Sequence, residues 1–167
     1  MRSTPSLIAA VFGATIYAVA GGVIGSMNAG WFGLHPNANA LLPLLGVGAG
    51  LVIIAFASGE LPTRLGEIGG LGLATKYLLV GGPALYVLSW AIEFAILGTL
   101  ALGVGLVCLS IAVWRRRLVP SLDRILITFS AIGSLVWNTE TVSAFLLVGV
   151  GFIWLILSVR QLSAVQR

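Results

Sequence analysis

Charge is what this chain has least of. Nine Lys and Arg and five Asp and Glu among 167 residues leave 8% charged, where a soluble domain carries about 25%. Hydrophobic residues make up 59%, and a fold of this length has too little interior to hide them from water. A water-soluble globule is therefore not expected, and lipid remains as the solvent. Catalytic side chains are equally scarce. The lone Cys108 can form no internal disulfide, and without a nearby His or Lys it reads as core filler rather than nucleophile. The lone His35 puts most triad chemistry out of reach. A phosphate-binding glycine loop, a Gly-x-Ser-x-Gly elbow, a His-Glu-x-x-His pair and a Cys pair are all missing. No acid stands in the middle of an apolar run, which argues against proton-coupled transport. No cofactor and no resident metal are expected.

What the chain does have is long apolar runs. A span needs about 20 residues, and Leu7–Met27, Ala40–Ser58, Leu122–Trp137 and Thr141–Val159 serve as four. The first mimics a secretory signal, with Ala18-Val19-Ala20 before Gly21. Its basic n-region is thin, however, and its apolar run continues to Met27, so a retained helix is expected. Leu71–Trp114 is apolar over roughly twice the length of one crossing.

Charge decides how often that long run crosses. The fixed point is Ala101–Arg117, an apolar stretch closed by Trp114, Arg115, Arg116 and Arg117, each arginine costing about 2.5–3.5 kcal/mol at mid-bilayer. Two crossings put every Lys and Arg on one side, from Arg2, Arg64 and Lys76 through the triplet to Arg124, Arg160 and Arg167. One crossing, the five-span variant, puts Arg2 and Arg64 opposite the triplet. The positive-inside rule selects two. The expectation is an all-α, polytopic helical membrane protein of a single domain (residues 1–167). Six transmembrane helices, near 7–27, 40–58, 77–91, 94–114, 122–137 and 141–159, pair as three hairpins with N- and C-termini cytoplasmic. The setting is a cell membrane of multi-pass type, a prokaryotic inner or plasma membrane. The third-to-fourth turn falls either at Trp90–Phe94 or at Gly81-Gly82-Pro83. The second placement leaves Lys76 inside the membrane, so the first is favoured.

The three hairpins carry similar marks. Outgoing helices hold Tyr17-x-x-x-Gly21-Gly22, Tyr77-x-x-x-Gly81-Gly82 and Phe129-x-x-x-Gly133-Ser134; returning ones hold Gly46-Val47-Gly48, Gly103-Val104-Gly105 and Gly149-Val150-Gly151. Small residues at one depth let helices approach where lipid supplies no hydrophobic drive between them. Gly21 with Gly25, and Gly46 with Gly50, add small-x-x-x-small faces. The composition is so rich in Gly, Ala and Leu that chance matches compete with a true repeat.

The best site candidate is an outer-face cluster of His35, Glu93 and Glu140, one from each hairpin turn. An imidazole and two carboxylates suit a divalent metal or a shared proton. The plainer readings are a loop histidine, an interfacial acid and a helix-capping acid, and they outweigh the site. Trp31, Trp90 and Trp137 on one side and Trp114 on the other fit an aromatic belt. Arg115, Arg116, Arg117 and Arg124 read first as a cytoplasmic anchor and second as a lipid-headgroup contact. The net charge of +4 follows from that bias and implies no nucleic acid. Partners are the lipid bilayer and other membrane proteins or a second copy. Three functions follow in descending order: a non-catalytic accessory, assembly or lipid-contacting subunit; a small transporter or pore subunit; and a membrane enzyme using the His/Glu cluster.

Overall fold

The computed structural model describes residues 4–31, 41–57, 69–88, 92–136 and 141–165. They form six helices and, among the described residues, no strand. The helices are α1 (Thr4–Asn28), α2 (Leu42–Ala57), α3 (Gly70–Val87), α4 (Ile92–Arg116), α5 (Ser121–Val136) and α6 (Thr141–Val165). Two of them, over Pro5–Asn28 and Glu93–Arg116, are long and apolar enough to cross a membrane; Leu42–Ala57 and Phe145–Arg160 are apolar but shorter.

Local chemistry sets the helix ends. α1 closes in a Schellman turn: Trp31 N–H reaches Ser26 O at 3.2 Å, and Gly30 takes a φ of 71° that a side chain would resist. α4 ends at Arg117, a non-glycine residue at φ 50°. Pro120 then opens the next helix, its carbonyl accepting Arg124 N–H at 3.1 Å. The break between α3 and α4 lies between Val87 and Ile92. The alternative turn at Gly81-Gly82-Pro83 is corrected: α3 runs straight through Pro83. These residues are used for close approach instead, since a Cβ on Gly82 would stand 2.7 Å from Leu102 N, and Pro83 O lies 2.7 Å from the Cβ position of Gly46.

Each helix packs on its chain neighbours, and α6 returns to pack on α1, so the six close into a ring. Every seam runs antiparallel. Gly48 abuts Gly13 and Tyr17, Gly46 abuts Pro83, Gly105 abuts Leu78, and Gly82 abuts Leu102. Gly103 faces Leu135, Gly133 faces Val150, Gly151 faces Ala18, and Gly21 faces Leu147. The starts of α1, α3 and α5 therefore share one end of the ring with the finishes of α2, α4 and α6. All described cations, Lys76, Arg115, Arg116, Arg117, Arg124 and Arg160, fall toward that end.

The interior is filled by Tyr17, Leu45, Tyr86, Leu102 and Leu147, all fully buried. The outside is apolar on every helix: Phe12 and Val19, Val47 and Ile54, Leu73 and Val80, Ile96 and Leu100, Phe129 and Ile132, Phe152 and Ile156 are all exposed. On α5 the usual polarity is inverted. Asp123, Ser130 and Ser134 lie on its buried face, while Leu122, Ile125, Phe129, Ile132 and Val136 point outward. A helix on the surface of a water-soluble protein arranges these faces the other way round.

Candidate functional site

Polar side chains gather in two places, and the deeper one is centred on Tyr17. Tyr17 stands near half-way along α1, roughly 20 Å from Thr4 at 1.5 Å per residue. Its ring packs on Trp154 of α6 with centroids 4.6 Å apart. The indole N–H of Trp154 donates to Ser130 of α5 at 2.6 Å. The Tyr17 hydroxyl lies beside Ser134 and within electrostatic reach of Tyr86 on α3. The Tyr17 and Ser134 hydroxyls face each other closely enough to interact but fall short of full hydrogen-bond geometry, and neither has another partner. Tyr86 shares a 2.7 Å hydrogen bond with Thr99, whose own proton goes to Ala95 O at 2.9 Å, so Tyr86 is the donor. The cluster offers hydroxyls and one indole, groups that orient by hydrogen bonds and neither gain nor lose protons near neutrality.

The second cluster lies at the basic end, between α4, α5 and α6. Thr128 donates to Arg124 O at 2.9 Å, and its oxygen accepts from Ser110 at 2.7 Å and from the Trp114 indole at 3.0 Å. That fixes the Trp114 ring, over which the Arg124 guanidinium sits 4.9 Å from the centroid. The Arg124 Nε is buried and finds no acceptor. Asp123, next along α5, accepts from Arg160 Nε at 3.0 Å and ties α5 to α6.

The residues singled out in the sequence fare unevenly. Glu93 is exposed in the first turn of α4. His35 and Glu140 lie outside the described residues, as do Trp90, Trp137, Arg2 and Arg64. No group of three His, Cys, Asp or Glu able to hold a metal occurs among the described residues. Trp31 is exposed and packs against Phe145 at 5.7 Å, and Cys108 is half-buried. Gly25 faces Phe145 at 3.1 Å, and Gly50 only touches Pro83 at 3.7 Å. Gly149 departs from its expected packing role: it is exposed, with nothing within 4 Å of where a Cβ would be. Gly151 holds that seam instead, its Cβ position 2.6 Å from Ala18 Cβ.

The hairpin marks are only partly equivalent. Gly46 and Gly103 both face the next hairpin, and Gly48 and Gly105 both face their own. Yet Tyr17 is fully buried while Tyr77 and Phe129 are exposed. The Asp123–Arg160 pair and the Trp154–Ser130 bond were not anticipated. A signal for them existed in the Asp123, Ser130, Ser134 stripe at helical spacing on α5.

No family model, no curated protein and no solved structure matches this chain.

Proposed function

We propose that this chain is a six-span integral membrane protein, three hairpins closed into a ring, with its basic end and both termini in the cytoplasm. It works by binding, as an accessory, assembly or lipid-contacting subunit. The observation that carries the reading is the inverted helix α5, polar toward the ring and apolar outward. Water would penalise that arrangement, whereas hydrocarbon rewards it. The apolar girdle on the other five helices and the gathering of described cations at one end support the same orientation. A binding role fits the kinds of polar group inside. At the depth of Tyr17 the described polar side chains are hydroxyls and an indole, and the described acids, Asp123 and Glu93, stand at opposite ends.

The test starts from a C108S background carrying single cysteines at Ser121 or Trp31, labelled in intact cells with a membrane-impermeant maleimide. Labelling at position 31 alone is expected, with 121 labelled only after permeabilisation. Equal labelling of both in intact cells would defeat the topology. Crosslinking in native membranes followed by purification then reads the binding role: a chain recovered alone, as a monodisperse monomer, counts against it.

One observation favours a small transporter as the second reading. Tyr17, Ser134, Tyr86 and Ser130 are buried and Thr99 half-buried, a set of hydrogen-bonding groups inside the ring in which the Tyr17 and Ser134 hydroxyls fall short of full hydrogen-bond geometry. Proteoliposome flux of small neutral solutes that falls on Tyr17→Phe and Ser134→Ala would move the assignment to transport.

A further inference from the structure

Four arginines crowd the corner where α4 passes into α5, and none has a carboxylate partner among the described residues. Arg115, Arg116 and Arg117 are exposed. Arg124 is partly buried against Trp114, its Nε shielded and without an acceptor. The acid beside it in sequence, Asp123, already accepts from Arg160. Four like charges within ten residues around one helix corner repel one another, and a bound anion relieves the repulsion. The corner is also built rather than loose. Ser110 and Thr128 fix the Trp114 ring, and the Arg124 guanidinium carbon sits over that ring, 4.9 Å from its centroid. Arg117 holds the left-handed φ of 50° that turns the chain from one helix to the next, a conformation that non-glycine residues keep only where the surroundings impose it.

We propose that this corner binds a phosphate-bearing anion, with Arg124, its guanidinium carbon over the Trp114 ring, as the fork and Arg115, Arg116 and Arg117 as the surrounding charge. A planar guanidinium presents paired N–H groups to phosphate oxygens in a way that an ammonium cannot. The positive end of the α5 dipole adds to the attraction. The phosphate belongs to the headgroup of an anionic lipid or to a soluble phosphate compound. The inference rests on the proposed membrane orientation, which puts this end at the cytoplasmic interface, where Trp114 is half exposed.

The test is native mass spectrometry of the full chain released from mixed phosphatidylglycerol and phosphatidylcholine micelles, with inorganic phosphate and glycerol 3-phosphate as soluble competitors. Wild type is expected to retain phosphatidylglycerol about tenfold over phosphatidylcholine, whose choline ammonium cancels the charge of its phosphate and is repelled by the arginines. Arg124→Gln is expected to remove most of that preference, and Arg124→Lys to do nearly the same because an ammonium presents no planar fork to phosphate oxygens. Trp114→Phe loses the indole N–H that Thr128 holds and is expected to lose much of the preference as well. Displacement of the lipid by millimolar glycerol 3-phosphate assigns the site to a soluble phosphate; resistance assigns it to lipid. Equal retention of the two lipids by wild type overturns the site. So does an Arg124→Lys variant that behaves as wild type, which leaves diffuse charge alone. Either result, with the cysteine-labelling pattern intact, removes this site while the membrane orientation stands.

Discussion

Trp154 on α6 and Ser130 on α5 share a hydrogen bond of 2.6 Å in the ring interior, and the same indole supports the ring of Tyr17 from α1. Two consecutive helices and α1 from the other end of the chain meet at this one side chain. The bond and the stacking are separable by mutation. Trp154→Phe keeps an aromatic ring but removes the donor, leaving a buried Ser130 hydroxyl without its partner. A loss of about 1–3 kcal/mol is expected, read by denaturant titration in mild detergent. Tyr17→Phe removes a buried hydroxyl whose neighbour is Ser134, a contact short of full hydrogen-bond geometry, so the change in stability is expected to stay under about 1 kcal/mol. A Tyr17→Phe variant as damaged as Trp154→Phe would mean that the hydroxyl has a partner it depends on.

The glycines divide into seam positions and open positions, and the two classes respond oppositely to alanine. A Cβ at Gly48 would stand 2.7 Å from Gly13 O and 2.8 Å from Tyr17 N, both backbone atoms that cannot step aside. Gly48→Ala is expected to cost about 1–3 kcal/mol, the range for overpacking. Gly149→Ala meets nothing within 4 Å and gains helix propensity of up to about 1 kcal/mol. Thermal unfolding of the two variants in one detergent should place them on opposite sides of the parent.

These glycines also mark how far the sequence could be read. The apolar run lengths were enough to expect six helices, but the third begins at Gly70 and not at Tyr77 as expected, so Lys76 stands inside it and not at its end. Which way each residue faces was not legible. Tyr17 and Tyr77 begin the same Tyr-x-x-x-Gly-Gly pattern, yet one is sealed inside and the other is 72% exposed. The seams explain it: Gly48 meets Tyr17 itself, whereas Gly105 meets Leu78 and Leu79, a step past Tyr77. One residue turns a helix by about 100°, which is enough to carry a ring from core to surface. Ring closure of α6 on α1 joins residues at opposite ends of the chain, and no local pattern announces it. The corner formed by Trp114, Thr128 and Arg124 was half visible, because its arginines stand out by charge while the threonine that orients the indole looks like any other residue of an apolar helix.

Asp123 and Arg160 form the ion pair that ties α5 to α6 at the basic end, with the carboxylate 13% exposed and the guanidinium 43% exposed. The exposed partner is screened by water, so the coupling is modest. A double-mutant cycle of Asp123→Asn and Arg160→Gln is expected to give an interaction of about 1 kcal/mol, the upper end for a solvent-touched pair. Arg160→Gln alone should cost more than Asp123→Asn alone, since it leaves the more buried charge unpaired. A cycle that closes at zero would assign the α5–α6 seam to Trp154 and Gly133 alone.

Helix length sets the last expectation. α2 and α5 have 16 residues each, or roughly 24 Å, against a hydrocarbon core of about 30 Å. α1, α4 and α6 have 25 each, roughly 37 Å, and long helices adapt to a thin bilayer by tilting. Short helices have no such freedom. In the proposed six-span orientation the mismatch is sharper on α5, because Asp123 and Arg124 occupy its first turn and the apolar outward face begins at Leu122 and Ile125. A thick bilayer would draw that charged turn toward hydrocarbon or thin itself around it, at fractions of a kcal/mol per Å. Thermal stability in phosphatidylcholine vesicles should therefore fall steadily from myristoleoyl to erucoyl chains. Extending α5 by inserting Leu-Ala-Leu after Ile132 should not rescue it, since the insertion turns Gly133 and Ser134 away from the seam with Val150 and Tyr17. Stability that rises with chain length would show that the ring meets the bilayer through its long helices, with α2 and α5 shielded from it.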